Sequence, residues 1–257
     1  MLTVEQAAGL LLDAERSATD RPPLTDQWPQ LDLATAYAVQ DETLRRREAG
    51  GDRLVGVKLG LTSAAKQRRM GVDAPLTAWL TESMMLAEGD PVPLKRLIHP
   101  RVEPEIVFVM AERLAGPGVT PETALRAVGE VRAGLDVIDS RYRDFRFTLP
   151  DVVADNASSA AFVVGSRVRA PGGTDLVGEG CELEVDRRVV DRATGAAVQG
   201  DPAAALALAA NSLGSRGLAL EPGWIVLSGA LTDAVPVGPG SRVTARYTSL
   251  GAVTLEA

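Results

Sequence analysis

Apolar and polar positions change their rhythm along this chain. Over residues 3–18, Ala, Leu and Glu follow a Thr3 start with Glu5 and Gln6 behind it, which predicts a helix ended by Pro22 and Pro23. Residues 33–49 predict a second helix with Leu33, Tyr37, Val39 and Leu44 as a rough apolar stripe, stopped by Gly50 and Gly51. Leu54–Gly60 reads as a strand with Lys58 inside it, and residues 63–70 as a short helix. From about residue 85 the pattern shortens. β-rich runs at 102–110, 134–139, 160–168, 181–190, 224–229 and 241–247 alternate with Gly, Pro and Asp turns. Two helices interrupt them. One is predicted over 120–132 behind Thr120 and Pro121, the other over 201–215 behind Asp201 and Pro202. The sum is an α+β chain, with a small, mainly helical N-terminal part (residues 1–80) and a larger β-dominated part (residues 81–257). No internal repeat or low-complexity linker divides it.

Composition narrows the function classes. The 257 residues are long enough for a full core, and 46% hydrophobic with 24% charged is ordinary for a globular protein. A net charge of -7 argues against a nucleic-acid groove, although a bound metal can invert the local field for an anionic substrate. With one cysteine, Cys181, no intramolecular disulfide forms, which fits a reducing compartment. One Cys and one His, His99, do not make a thiolate–imidazole zinc site. The start carries no signal-peptide pattern and no apolar run reaches membrane-spanning length, so a cytoplasmic protein without a membrane partner is expected.

The candidate chemistry centres on Arg-Val-Glu-Pro-Glu at 101–105. In an extended strand Glu103 and Glu105 share a face, and a hard divalent cation is the usual remedy for such a carboxylate pair. The alternative is a solvent-facing strand edge. Asp136 or Asp139, in Gly-Leu-Asp-Val-Ile-Asp-Ser-Arg, can add a third oxygen ligand, or Asp139 can pair with Arg141 or Arg143. Lys58, between Val57 and Leu59, can stabilise an enolate with its pKa lowered by burial, or it can snorkel from a strand edge. Asp155, Asn156, Ser158 and Ser159 form a polar cluster that can offer donors to a substrate carboxylate or simply cap a turn. His99, before Pro100, suits a structural role, and neither a P-loop nor a Gly-x-Ser-x-Gly elbow is present.

Several ordered segments together resemble the hydratase/decarboxylase branch of the fumarylacetoacetate hydrolase superfamily, the 2-oxopent-4-enoate hydratases and 4-oxalocrotonate decarboxylases. They are Gly56–Ser63, His99–Glu105, Leu135–Tyr142, Val153–Ser159, the Leu-Ala-Ala-Asn ending at Asn211, and Leu231–Val237. The resemblance implies a mixed β-roll with a small helical N-terminal domain and a bound Mg²⁺ or Mn²⁺. It places metal ligands at Glu103, Glu105 and Asp136, the active-site lysine at Lys58, and a substrate-lining residue at Ser158. Three departures matter. Asp136 stands where the branch usually has glutamate, Leu76 stands where hydratases carry an aspartate, and Asp201 replaces the histidine of a Gly-His-Pro. The stretch Tyr142–Pro150 is similar to the decarboxylases.

The implied reaction is decarboxylation of a 2-oxo-enedioate to 2-oxopent-4-enoate through a metal-stabilised dienolate, with Lys58 and Glu105 as catalytic residues and Leu76 in an apolar pocket. The alternatives are the hydratase, an acylpyruvate-type carbon–carbon hydrolase or a related biosynthetic lyase on the same scaffold. A non-catalytic partner of a sister enzyme is the reading from another class. A small 2-oxo dicarboxylate substrate, a homo-oligomer, and a complex with a sister hydratase or decarboxylase complete the expectation.

Overall fold

The computed structural model describes residues 2–63, 67–68 and 75–257. Thr3 starts helix α1 (Val4–Arg16), its hydroxyl accepting from the Gln6 N–H while the Gln6 amide oxygen accepts from the Thr3 N–H. Asp32 caps α2 (Leu33–Ala49) through the Thr35 N–H. The two helices bury Ala7, Ala8, Leu11, Ala36 and Val39 against Leu24, Trp28 and Leu31. Tyr142 and the short helix α4 (Leu149–Ala154) join that cluster from far along the chain, as does Leu76.

Three strands near the chain's start are β1 (Leu54–Gly60), β2 (Leu76–Thr81) and β3 (Met85–Leu86). The centre is β4 (Arg101–Met110), followed by α3 (Pro121–Arg126), β5 (Val128–Ile138) and β6 (Ser159–Val164). Then come β7 (Gly180–Val185), β8 (Arg188–Thr194), α5 (Pro202–Ser215), β9 (Ile225–Ala230), β10 (Val235–Pro236), β11 (Arg242–Tyr247) and β12 (Gly251–Glu256). Among the described residues an eight-stranded mixed sheet runs β2-β1-β9-β4-β5-β6-β3, with β10 against β4. A four-stranded antiparallel sheet runs β12-β11-β7-β8. Residue 80, where the sequence suggested a division, lies inside β2, and β1 and β2 belong to the same sheet as β4.

Alternation on β4 and β5 decides what faces what. Val102, Ile106 and Phe108, with Val131, Ala133 and Leu135, turn to the main core shared with Leu183, Val243, Val253 and Leu206. Glu103 and Glu105 therefore turn to the opposite face.

The α+β reading holds, with local differences. The helix expected over 120–132 stops at Arg126, because residues 128–132 are claimed by β5, which pairs with β4 from Val128 to Ile138. Long-range pairing overrides the short helical start set by Thr120 and Pro121. The run 181–190 is a hairpin rather than one strand, turning at Asp186 and Arg187 with φ of 50° and 66°. A two-residue loop with both φ positive usually carries glycine, so this sequence hid it. Of the helix expected over 63–70, Gln67 and Arg68 are helical, while 64–66 and 69–70 lie outside the described residues.

Candidate metal centre

The register of β4 on β5 sets Glu103 opposite Asp136 and Glu105 opposite Gly134. Directly opposed residues point to the same side, so three carboxylates share one face. Each offers an oxygen, and these oxygens all lie within 4.8 Å of one another. Glu105 and Asp136 are wholly buried and Glu103 half-buried. From β1, across β9, comes Lys58, 2% exposed, whose ammonium pairs with Asp136 Oδ2 and also donates to the Ala157 carbonyl at 3.4 Å.

Two structural devices fix Glu105. A bulge in β9 opposite Glu105–Val107 turns Gly229 to φ 109°, and its N–H donates to Glu105 Oε2 at 2.5 Å. A Cβ at Gly229 would lie 2.1 Å from the Thr62 hydroxyl oxygen, so only glycine fits. From the core side, the Tyr247 hydroxyl lies 2.8 Å from the Glu105 carbonyl and 3.2 Å from that of Gly134, holding β4 and β5 together beneath the carboxylates. Sequence reasoning missed both residues. An isolated Gly229 in a strand-like run was the available signal for a bulge, whereas Tyr247 acts from the second sheet and left none.

Burial, then Asp136 and Glu103, push the Glu105 carboxyl well above its ordinary pKa, against the pull of Lys58 and the Gly229 N–H. Burial raises Asp136 likewise, with Lys58 opposing. The expectation for Lys58 reverses. Burial alone would lower it, but Asp136, Glu103 and Glu105 outweigh burial and hold the ammonium above its usual value. Three carboxylates converge here beside one ammonium, two of them wholly buried. In addition, Glu105 Oε1 and Asp136 Oδ1 are buried with no hydrogen-bond partner. A divalent cation with oxygen preference fits both facts, since it balances the charge and occupies the orphaned oxygens.

The other residues named from sequence fall out as follows. Ser158 is buried one residue beyond Ala157, its hydroxyl 3.4 Å from Asp155 Oδ2. Leu76 is opposite Gly60, on the Lys58 face of the sheet, but it packs into the helical cluster. Asp139 stays outside the carboxylate group and accepts from the N–H groups of Ile98 and His99 at 2.8 and 2.7 Å. His99 is structural, with Nε2 2.8 Å from the Ser140 carbonyl and its ring against Phe145. Arg141 is buried on Asp155, not on Asp139's carboxylate, and burial still raises Asp155 to about 6. Asp201 caps α5 through the Ala203 N–H at 2.8 Å.

A family model described as fumarylacetoacetate (FAA) hydrolase, C-terminal, matches residues 53–256. A 4-oxalocrotonate decarboxylase of Pseudomonas sp. strain CF600 is 41% identical over 98% of this chain and 97% of that protein. A 2-hydroxyhexa-2,4-dienoate hydratase of Comamonas testosteroni is 37% identical over 98% of this chain and 97% of its own length. The solved 4-oxalocrotonate decarboxylase of Pseudomonas putida G7, complexed with magnesium and adipate, superposes with a TM-score of 0.96 at 40% identity. It covers 100% of this chain and 98% of that one.

Proposed function

The chain belongs to the fumarylacetoacetate hydrolase family, and we propose that it is a metal-dependent decarboxylase of a 2-oxo-enedioate of the 4-oxalocrotonate type. The observation that carries the reading is the carboxylate cluster, with two orphaned buried oxygens beside a buried lysine. Glu103, Glu105 and Asp136 would hold Mg²⁺ or Mn²⁺. When bound, the ion supplies Lewis acidity to a chelating 2-oxo acid.

The chain's own residues do the rest. Loss of CO₂ from the far carboxylate breaks the bond to C5, and the bonding pair delocalises through the C3–C4 double bond onto the C2 oxygen. One proton taken up afterwards gives 2-oxopent-4-enoate. Lys58, kept protonated by Asp136, sets a fixed positive charge beside the position of that oxygen. Glu105, anchored by Gly229, fixes the donor set against which the 2-oxo acid is oriented. Ser158 offers a buried hydroxyl next to Lys58's second acceptor, and Leu80, Met84, Val107, Phe162 and Leu227 form an apolar cluster alongside. An apolar surrounding favours conversion of a carboxylate to neutral CO₂.

The second reading is a hydratase, supported by relatives of that name. Leu76, buried where hydratases carry an aspartate, favours the decarboxylase. We place the protein in the cytoplasm as a homo-oligomer, open to a complex with a sister hydratase. The buried free Cys181 and the exposed Val189 and Val190 on the edge strand β8 support that placement. No described helix is long and apolar enough to cross a membrane.

The test is turnover with Mg²⁺ on two substrates, 2-oxohex-3-enedioate and 2-hydroxypenta-2,4-dienoate. CO₂ from the first supports the decarboxylase. Loss of dienoate absorbance without CO₂ supports the hydratase, and no turnover of either sinks both.

A further inference from the structure

Three consecutive residues without the freedom of glycine, Asn156, Ala157 and Ser158, have φ of 51°, 48° and 58°. A left-handed backbone is unfavourable for any L-residue with a Cβ and normally appears as single residues. A run of three persists only when its surroundings over-determine it. Here the run lies beside the metal centre, and its middle carbonyl, from Ala157, accepts from the Lys58 ammonium.

The two ends of the run are held. Before it, Asp155 is buried under Arg141, which binds both its carboxylate and its backbone carbonyl. After it, the Ser158 carbonyl accepts from the Asp139 N–H at 2.7 Å. Within the run the Ser158 N–H donates to the Asp155 carbonyl at 2.9 Å, and what ties the run to the sheet is the Asn156 side chain. Its Oδ1 accepts from the Trp79 N–H at 2.8 Å, and its Nδ2 donates to the Trp79 carbonyl at 2.9 Å. Trp79 lies on β2, the terminal strand of the large sheet, so among the described residues these backbone groups have no neighbouring strand on that side. One amide satisfies both, as a further strand would. The Asn156 amide is thus committed to backbone and does not serve as a substrate donor.

We infer that Asn156 is a positioning residue, clamping a left-handed turn to the edge of β2 so that the Ala157 carbonyl is held against Lys58 with Ser158 next to it in the turn. Among the described residues Lys58 has two acceptors, the Asp136 carboxylate and the Ala157 carbonyl. The first belongs to the metal-holding strands. The second is set only by this turn. Release of the clamp lets residues 156–158 relax towards the right-handed region, carries the Ala157 carbonyl away and shifts Ser158. The carboxylates on β4 and β5 make no contact through Asn156 and stay where they are.

The inference rests on the lyase reading for its kinetic arm and has a structural arm that does not. Asn156→Ala removes the clamp, and Asn156→Gly removes it while tolerating a positive φ, so that at least one variant folds. The expected result is a fall in kcat of about tenfold to a hundredfold, with Mg²⁺ affinity by calorimetry within about twofold of the parent. Parental kcat in both variants overturns the inference. So does a joint loss of kcat, metal affinity and cooperative unfolding, which marks a merely structural residue. The crystal structure of Asn156→Gly gives the second arm. Positive φ lost at Ala157 or Ser158 supports the clamp, and an unchanged turn overturns it, whether or not the parent turns over any substrate. A parent without turnover counts against the lyase reading alone.

Discussion

Replacing Glu105 by glutamine should stabilise the metal-free protein while destroying its response to metal. Glutamine keeps an oxygen to accept the Gly229 N–H and changes shape little, so the main change is loss of one buried negative charge. Lys58 already answers Asp136, while the Glu103 and Glu105 carboxylates, with oxygens within 4.8 Å of each other, repel. At an effective dielectric of about 20, that repulsion is about 3.5 kcal/mol. Part of it is relieved when Glu105 retains a proton, as its raised pKa indicates. A gain of about 1–3 kcal/mol at pH 8 is therefore expected, or roughly 2–10 °C in Tm for a chain of this size. The sign follows from linkage. A carboxyl whose folded pKa is raised contributes its stability below the unfolded value and loses it as pH rises through the folded value. The advantage of glutamine must accordingly grow from pH 5 to pH 8. Saturating Mg²⁺ should reverse the order, since about 1,000 Kd of ligand stabilises the parent by about 4.1 kcal/mol and the variant hardly at all. Thermal melts at both pH values, with EDTA or with Mg²⁺, give all four numbers. A variant less stable than the parent in EDTA at pH 8, or equally protected by Mg²⁺, refutes the reasoning.

Other perturbations separate the roles of neighbouring groups. Lys58→Met removes the positive charge that competes for Asp136, so Mg²⁺ should bind more tightly while kcat/KM falls about 10²–10³-fold, read by calorimetry and steady-state kinetics. Arg141→Met leaves Asp155 buried without its partner and should cost about 3–5 kcal/mol at pH 8. Because burial already raises Asp155 from 3.8 to about 6, its contribution to stability is full below pH 3.8 and lost as pH rises through about 6. The penalty in urea midpoints should therefore be smaller at pH 5 than at pH 8. Tyr247→Phe removes the hydroxyl that braces the Glu105 and Gly134 carbonyls and should cost about 1–2 kcal/mol, with Mg²⁺ affinity weakened by calorimetry.

Much of the centre was legible because it is local. Glu103 and Glu105 share a face by the two-residue period of a strand, and Lys58 stood out as a charge inside an apolar run. The strand pattern alone left Asp136 and Asp139 open, and only the family resemblance chose Asp136, since the choice depends on β4–β5 register, which sets Glu103 opposite Asp136 and sends Asp139 to cap Ile98 and His99. The direction of the Lys58 shift also needed the structure, because three nearby carboxylates outweigh burial. In the fold, capped helix starts at Thr3, Thr120 and Asp201 were readable from short motifs. The end of the helix at Arg126 was not, as its cause is a strand pairing with residues 101–110. The Asp186–Arg187 turn defeated prediction because neither residue is glycine.

The account turns on one claim, that Glu103, Glu105 and Asp136 together hold a divalent ion. Anomalous diffraction from crystals grown with Mn²⁺ tests it most directly. The account predicts a single strong peak within coordination distance of Glu103, Glu105 and Asp136 oxygens, lost in Glu105→Gln. A peak bound elsewhere, or none at these three carboxylates in the parent protein, would contradict it.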